Sequence, residues 1–184
     1  IYNHGGAGQI IGGAPEENCL ALAEAGFVGF APIRRPTRSL FGHLDDVNNS
    51  VDYLKKLPFV ESSRIVIIGF SRGALLTYQV AIERQEFRAL VIMASAVNPS
   101  MNLSDAGKIT APVLVLVSEN DTGSKRTHGR NTLRLTKELF KAFKEAGKDA
   151  KLIVYPPYGN DGHTMFFSVG SYWKDVIAFL RTHI

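Results

Sequence analysis

The passage that most constrains this chain runs from an unbroken apolar stretch, Ile65-Val66-Ile67-Ile68, through Gly69-Phe70-Ser71-Arg72-Gly73 into the helix-forming run Ala74-Leu75-Leu76-Thr77-Tyr78-Gln79-Val80-Ala81. A strand that becomes a helix within two or three residues crowds its own backbone. A glycine on each side of the central residue removes the side chains that would clash. The reading is a sharp elbow with Ser71 at its tip, its hydroxyl raised above a sheet and the first N–H groups of the next helix aimed at any negative charge developing there. Residues 65–68 do not alternate in polarity, which predicts a strand covered on both faces.

The rest of the chain supplies the cover. Residues 1–3 read as a strand end, followed by a loop containing Gly5, Gly6, Gly8, Gly12 and Gly13. Pro15, Glu16 and Glu17 mark a helix start, and that helix is expected to turn Leu20 and Ala23 inward and to stop at Gly26. Residues 27–33 predict a second strand. Arg34-Arg35-Pro36-Thr37-Arg38 predict a polar loop, and residues 44–57 a helix with Val47, Val51, Leu54 and Leu57 on one face. Strand character returns at 89–94, 112–117 and 152–155, with helices at 132–145, closed by Gly147, and from 172 to about 181. Alternating strands and helices imply an α/β fold: a mostly parallel sheet with helices on both faces and a ligand site beyond the carboxyl ends of the strands. At 184 residues, a single domain spanning 1–184 is expected.

The net charge of +4 comes from scattered Lys and Arg, without the like-charge runs or interleaved aromatics of a nucleic-acid surface, so it reads as solubility. Cys19 is alone, which excludes an internal disulfide or a thiolate metal cluster; within a helical pattern it reads as a small buried hydrophobe. No apolar run is long enough to span a bilayer, and no signal peptide is visible. The chain opens on Ile1 within a strand end, which predicts a processed or excised piece with early strands or a further domain upstream.

A serine hydroxyl becomes a useful nucleophile only when an imidazole takes its proton and a carboxylate holds that imidazole in the right tautomer. Both partners follow later strands in the order Ser, Asp, His: Asp121 in the segment after 113–117, and His163 after 152–155. Glu119 is a rival acid, with Asp121 favoured because it lies in the loop beyond the strand end. Asp161 reads as a turn residue. His43, His128 and His183 read as surface residues, and His4 as a structural hydrogen-bonder. Two backbone donors complete the set for an oxyanion: the N–H of Gly6 or its neighbour Ala7, and that of Arg72.

His4-Gly5-Gly6, Gly69-Phe70-Ser71-Arg72-Gly73, Asp121 and Gly162-His163 together resemble an α/β-hydrolase of the dienelactone hydrolase and prolyl-oligopeptidase-like branch. The resemblance covers essentially the whole chain and extends to Val51-Asp52-Tyr53-Leu54 before Ser63-Arg64-Ile65. It implies hydrolysis of a small-molecule ester or an amide by water through an acyl-enzyme, with no metal or organic cofactor. Dienelactone hydrolases proper carry cysteine where Ser71 stands, so dienelactone is not carried over as substrate. Prolyl oligopeptidases bring a large upstream propeller that is not visible here. Residues 95–111, with Asn98, Pro99, Ser100, Asn102 and Ser104, favour turns over a helical lid. An open, shallow site for short acyl groups follows. Arg34, Arg35 and Arg38 could bind a substrate carboxylate, a solvated basic loop being the plainer reading. Met165, Phe166 and Phe167 line either a pocket or the core. The expected activity is that of a serine carboxylesterase. A peptidase or amidase domain of a longer protein, and a non-catalytic binding domain, are the alternatives.

Overall fold

Alternate side chains of a strand point to opposite faces of its sheet, so an unbroken apolar strand needs two cores. The computed structural model, which describes residues 1–96 and 101–184, provides both. Five parallel strands lie in the order β1 (Tyr2–Asn3), β2 (Val66–Phe70), β3 (Ala89–Met93), β4 (Val113–Ser118) and β5 (Ala150–Tyr155). Ile67, Leu90, Ile92, Val113 and Val115 enter one core, with α2 (His43–Leu54), α3 (Arg72–Glu83) and α4 (Thr132–Glu145). Val66, Ile68, Phe70, Val91, Met93, Leu114 and Leu116 enter the other, with α1 (Pro15–Glu24) and α5 (Trp173–His183). Each such buried Val, Leu or Ile contributes roughly 1.5–3 kcal/mol. Among the described residues no helix is long and apolar enough to cross a membrane.

Three local expectations are corrected. Residues 27–33 are not a strand. The Tyr2 N–H does donate to the Phe30 carbonyl at 2.8 Å, but the return bond of a parallel ladder would have to come from residue 32, a proline without an N–H. One turn further, the Arg34 N–H meets the His4 ring (3.4 Å) instead of a backbone oxygen. In α1 it is Asn18 and Leu22, four apart, that are buried, while Leu20 is 58% exposed and Ala23 also faces out. His43 is not a surface residue. It is buried at the start of α2, with Nε2 2.8 Å from Thr37 Oγ1 and 3.1 Å from the Arg35 carbonyl oxygen, and burial lowers its pKa.

Residues Leu103–Lys108 form a short 3-10 helix whose start is capped by Asn102, its Oδ1 accepting from the Ser104 N–H at 3.2 Å. This segment packs on α3 and α4. Of the residues expected to form turns there, Asn98, Pro99 and Ser100 lie outside the described residues.

Candidate active site

Ser71 sits between the last residue of β2 and the first of α3 with φ 54° and ψ −115°, a conformation that side-chain-bearing residues rarely adopt and that costs roughly 1–3 kcal/mol. Surrounding contacts hold it there. Its N–H donates to the Met93 carbonyl at 2.9 Å, and its own carbonyl accepts from Ala96 at 3.0 Å. The turn is tight enough that a Cβ at Gly73 would overlap the carbonyls of Asn3 and His4, and one at Gly69 would overlap Thr77 Oγ1 and the Gly73 carbonyl. The register of β1 on β2, with Asn3 opposite Gly69, causes this closeness, and Asn3 Nδ2 secures it by donating to Thr77 Oγ1 at 3.0 Å.

Asp121 and His163 arrive on the same side from the loops that follow β4 and β5. The Asp121 carbonyl accepts from the Leu133 N–H at 2.8 Å, tying the loop to α4. Asp161 caps the 3-10 helix Gly162–Phe167, its Oδ1 accepting from the His163 N–H at 3.1 Å. His163 Nδ1 then lies 2.8 Å from Asp121 Oδ2, and its Nε2 lies 3.1 Å from Ser71 Oγ. Asp121 and His163 are both buried. A carboxylate only accepts hydrogen bonds, so the neutral imidazole carries its proton on Nδ1 and offers the Nε2 lone pair to the serine hydroxyl. Phe70 packs against the imidazole with ring centroids 4.9 Å apart and Phe167 at 6.2 Å, which fixes the plane of the ring. Glu119 is exposed and forms no hydrogen bond or ion pair with His163, whose Nδ1 faces Asp121; its N–H continues the sheet to the Tyr155 carbonyl.

Opposite the serine lies the glycine-rich loop. Gly5 and Gly12 exchange two backbone hydrogen bonds, at 2.8 and 3.2 Å, closing the loop on itself. Gly6 takes φ +82°, and a Cβ there would run into the Ile10 carbonyl. The N–H groups of Gly6, Ala7 and Arg72 donate to no acceptor among the described residues. His4 is buried, its Nδ1 2.7 Å from the Gly5 carbonyl oxygen; burial, and then the charge of Arg34, lower its pKa to about 4, so the ring is neutral at pH 7.

The three arginines part company. Arg35 pairs with Asp46 at 2.6 Å on the surface and Arg38 is exposed, whereas Arg34 is 5% exposed and lies behind the His4 loop. The solvated-loop reading therefore fails for Arg34. Met165 and Phe166 are buried in the core, and Phe167 is half-buried with the Arg126 guanidinium 5.0 Å above its ring. Sequence reasoning passed over Asn120. This residue staples the two loops together, accepting from the Tyr158 N–H at 2.9 Å and from Ser118 Oγ at 2.9 Å, and donating to the Gly159 carbonyl at 3.0 Å. Asparagine one residue before a candidate acid, in a segment dense in turn formers, is the signal that could have found it. Among the described residues no cluster of three or more His, Cys, Asp or Glu could hold a metal ion.

This architecture is shared with solved hydrolases. An esterase of Pyrococcus furiosus superposes with a TM-score of 0.70 at 17% identity, over 99% of this chain and 80% of its own. A Klebsiella pneumoniae protein assigned as a dienelactone hydrolase gives 0.59 at 19% identity, over 75% of this chain, and an acylaminoacyl peptidase of Pyrococcus horikoshii gives 0.52 at 21% identity, over 67%. The aligned part of this chain spans 60% of the Klebsiella protein and 24% of the peptidase. At these identities the likeness is one of fold, the α/β-hydrolase fold. No curated protein matches the sequence. The sequence profile of the dienelactone hydrolase family does match, over residues 38–170, a span holding Ser71, Asp121 and His163, and the chain belongs to that family of hydrolases.

Proposed function

We propose that the chain hydrolyses short-chain acyl esters, with Ser71 as nucleophile, His163 as general base and acid, and Asp121 as the carboxylate that orients His163. The observation that carries this reading is the continuous relay from Ser71 Oγ to His163 Nε2 (3.1 Å) and from His163 Nδ1 to Asp121 Oδ2 (2.8 Å). As Ser71 Oγ attacks the ester carbonyl, its proton passes to Nε2, and the buried carboxylate balances the imidazolium that results. The carbonyl oxygen becomes an oxyanion, which the N–H groups of Arg72 and of Gly6 or Ala7 stabilise. His163 then protonates the departing alcohol. Water, deprotonated by the same imidazole, releases the acid from the acyl-enzyme.

Preference for short acyl groups rests on the segment 101–111, whose 3-10 helix packs on α3 and α4 and so gives no cover to a long chain. A second reading, cleavage of N-acylated aminoacyl amides, draws on the fold likeness to the acylaminoacyl peptidase. Comparing p-nitrophenyl acetate and butyrate with longer esters and with acylaminoacyl nitroanilides separates the two. Expected are turnover highest on acetate or butyrate, labelling of Ser71 by a fluorophosphonate, and loss of both in Ser71→Ala. Labelling elsewhere, or full activity in the variant, overturns the reading.

A further inference from the structure

Arg34 is buried, yet no carboxylate lies within ion-pairing distance of it among the described residues. Its Nη2 donates to the His4 carbonyl at 2.8 Å and reaches the Gly6 carbonyl at 3.5 Å, the latter closer to a charge–dipole contact than to a full hydrogen bond. Its Nε and Nη1 are buried with no acceptor among the described residues. His4 completes the arrangement. Its Nδ1–H donates to the Gly5 carbonyl at 2.7 Å, which leaves Nε2 to accept from the Arg34 backbone N–H at 3.4 Å. The carbonyls of His4, Gly5 and Gly6 are thus all engaged from behind the loop.

A trans peptide holds its C=O and N–H in one plane, pointing opposite ways. Holding the Gly5 oxygen therefore sets the direction of the Gly6 N–H, and holding the Gly6 oxygen sets that of the Ala7 N–H. Neither of these two donors is claimed by an acceptor among the described residues. A buried cation without a counter-charge is a poor fastener, because a neutral amide would satisfy the same carbonyls at a smaller desolvation cost. Its positive potential is useful where negative charge develops.

We propose that Arg34 is a positioning residue for ester hydrolysis: from behind the loop its guanidinium anchors the His4 carbonyl, draws on the Gly6 carbonyl and so turns the Ala7 N–H toward the oxyanion, and adds its unneutralised charge to the field there. This rests on the ester-hydrolase reading above. A residue acting in this way helps the transition state more than the bound ester, so its loss lowers kcat and spares KM.

The test compares wild type, Arg34→Ala, Arg34→Lys and the surface control Arg35→Ala on p-nitrophenyl acetate. In Arg34→Ala, kcat is expected to fall about 10- to 100-fold with KM within about twofold, less than the ~100- to 1,000-fold cost of deleting an oxyanion donor outright. Phosphonylation of Ser71 by a fluorophosphonate is expected to slow by a similar factor. Millimolar guanidinium is expected to restore part of the lost rate in Arg34→Ala and to do nothing for wild type or Arg35→Ala. Arg34→Lys keeps the charge without the fork and is expected to fall between the two. If circular dichroism shows Arg34→Ala unfolded, Arg34→Lys decides by the same kcat and KM criterion. A folded Arg34→Ala with kcat within about twofold of wild type (or, where Arg34→Ala is unfolded, an Arg34→Lys within that range), or a loss carried equally by KM with no guanidinium rescue, overturns the proposal. Wild type without ester turnover would instead overturn the ester-hydrolase reading.

Discussion

Replacing Gly162 by alanine tests how closely the Asp121 and His163 loops must pack. A Cβ at this position would lie 2.5 Å from Asn120 Oδ1, 2.6 Å from the Asp121 backbone nitrogen and 2.8 Å from Ser118 Oγ. Asn120 and Ser118 cannot simply swing aside, because Asn120 Oδ1 already accepts from Ser118 Oγ and from the Tyr158 N–H, both at 2.9 Å. The Asp121 nitrogen is backbone. The loops must therefore part until 2.6 Å becomes about 3.4 Å, the edge of ordinary van der Waals contact. The His163 Nδ1 to Asp121 Oδ2 bond spans the same gap at 2.8 Å, and stretched by that amount it leaves hydrogen-bonding range. Gly162 is not in the left-handed region, so the penalty is steric alone. The expected cost is a 10- to 100-fold fall in kcat, about 1.4–2.8 kcal/mol of transition-state stabilisation, together with about 1–3 kcal/mol of folding stability from overpacking. Steady-state hydrolysis of p-nitrophenyl butyrate and thermal unfolding measure the two effects. Gly107→Ala is the control, since its nearest neighbour is the Ala146 Cβ at 3.8 Å. If Gly162→Ala matched Gly107→Ala in both kcat and melting temperature, the packing of these loops would not be what places the imidazole.

Asp121→Asn offers His163 Nδ1 an amide in place of a carboxylate; kcat is expected to drop roughly 10³- to 10⁴-fold with KM little changed, read in the same assay. Folding stability is expected to fall on acidification before the carboxylates titrate. The His4 pKa is lowered from 6.5 to about 4 in the folded protein and that of His43 is lowered too, so the unfolded chain takes up protons first; stability is lost as pH falls through 6.5 toward 4. For His4 alone this amounts to roughly 1.5–2 kcal/mol between pH 6.5 and 5, and urea unfolding of wild type and His4→Gln at the two pH values should show a shallower slope in the variant. Arg84 joins the end of α3 to Asp52 of α2 at 2.7 Å and to Glu86 at 2.5 Å. Arg84→Ala is expected to cost about 1 kcal/mol, less in high salt, by thermal melts at two ionic strengths.

The elements that could be read from the sequence are those in which local pattern and tertiary demand agree. Residues 65–68, 89–94 and 112–117 are apolar throughout because helices cover both faces, and each holds a buried strand. The helix Thr132–Glu145 has an asparagine to cap its start and a glycine at φ +70° to end it, so its limits were legible to the residue. The errors fall where tertiary partners decide. The α1 sequence PEENCLALAE offers apolar residues on more than one face, and the sheet selects Leu22 over Leu20. Residues 27–33 have the composition of a strand, but Pro32 breaks the ladder with β1. The burial of Arg34 had no sequence signal at all, since nothing local distinguishes it from Arg35 next to it. One points behind the loop and the other to Asp46.

The candidate site is held mainly by backbone, and its exactness therefore depends on glycines more than on the polar residues that give it chemistry. Gly73 lets the start of α3 ride directly on the Asn3 and His4 carbonyls, Gly5 leaves room for the Phe70 ring and Ser71, which a Cβ there would approach to 2.9 and 3.2 Å, and Gly162 sets the His163 turn on the Asp121 nitrogen. Each contact joins segments that adjacent strands already bring together: β1 beside β2 for the first two, and β4 beside β5, with Ser118 opposite Tyr155, for the third. The sheet register sets the spacing coarsely, in steps of one strand separation of about 4.8 Å. Removing a Cβ closes the remaining fraction of a step, which is the margin between an imidazole within 3.1 Å of a hydroxyl and one that is out of reach. Substitutions at these glycines should therefore cost more activity for each kcal/mol of stability lost than equally destabilising substitutions in either core, such as Ile67→Val or Leu116→Val.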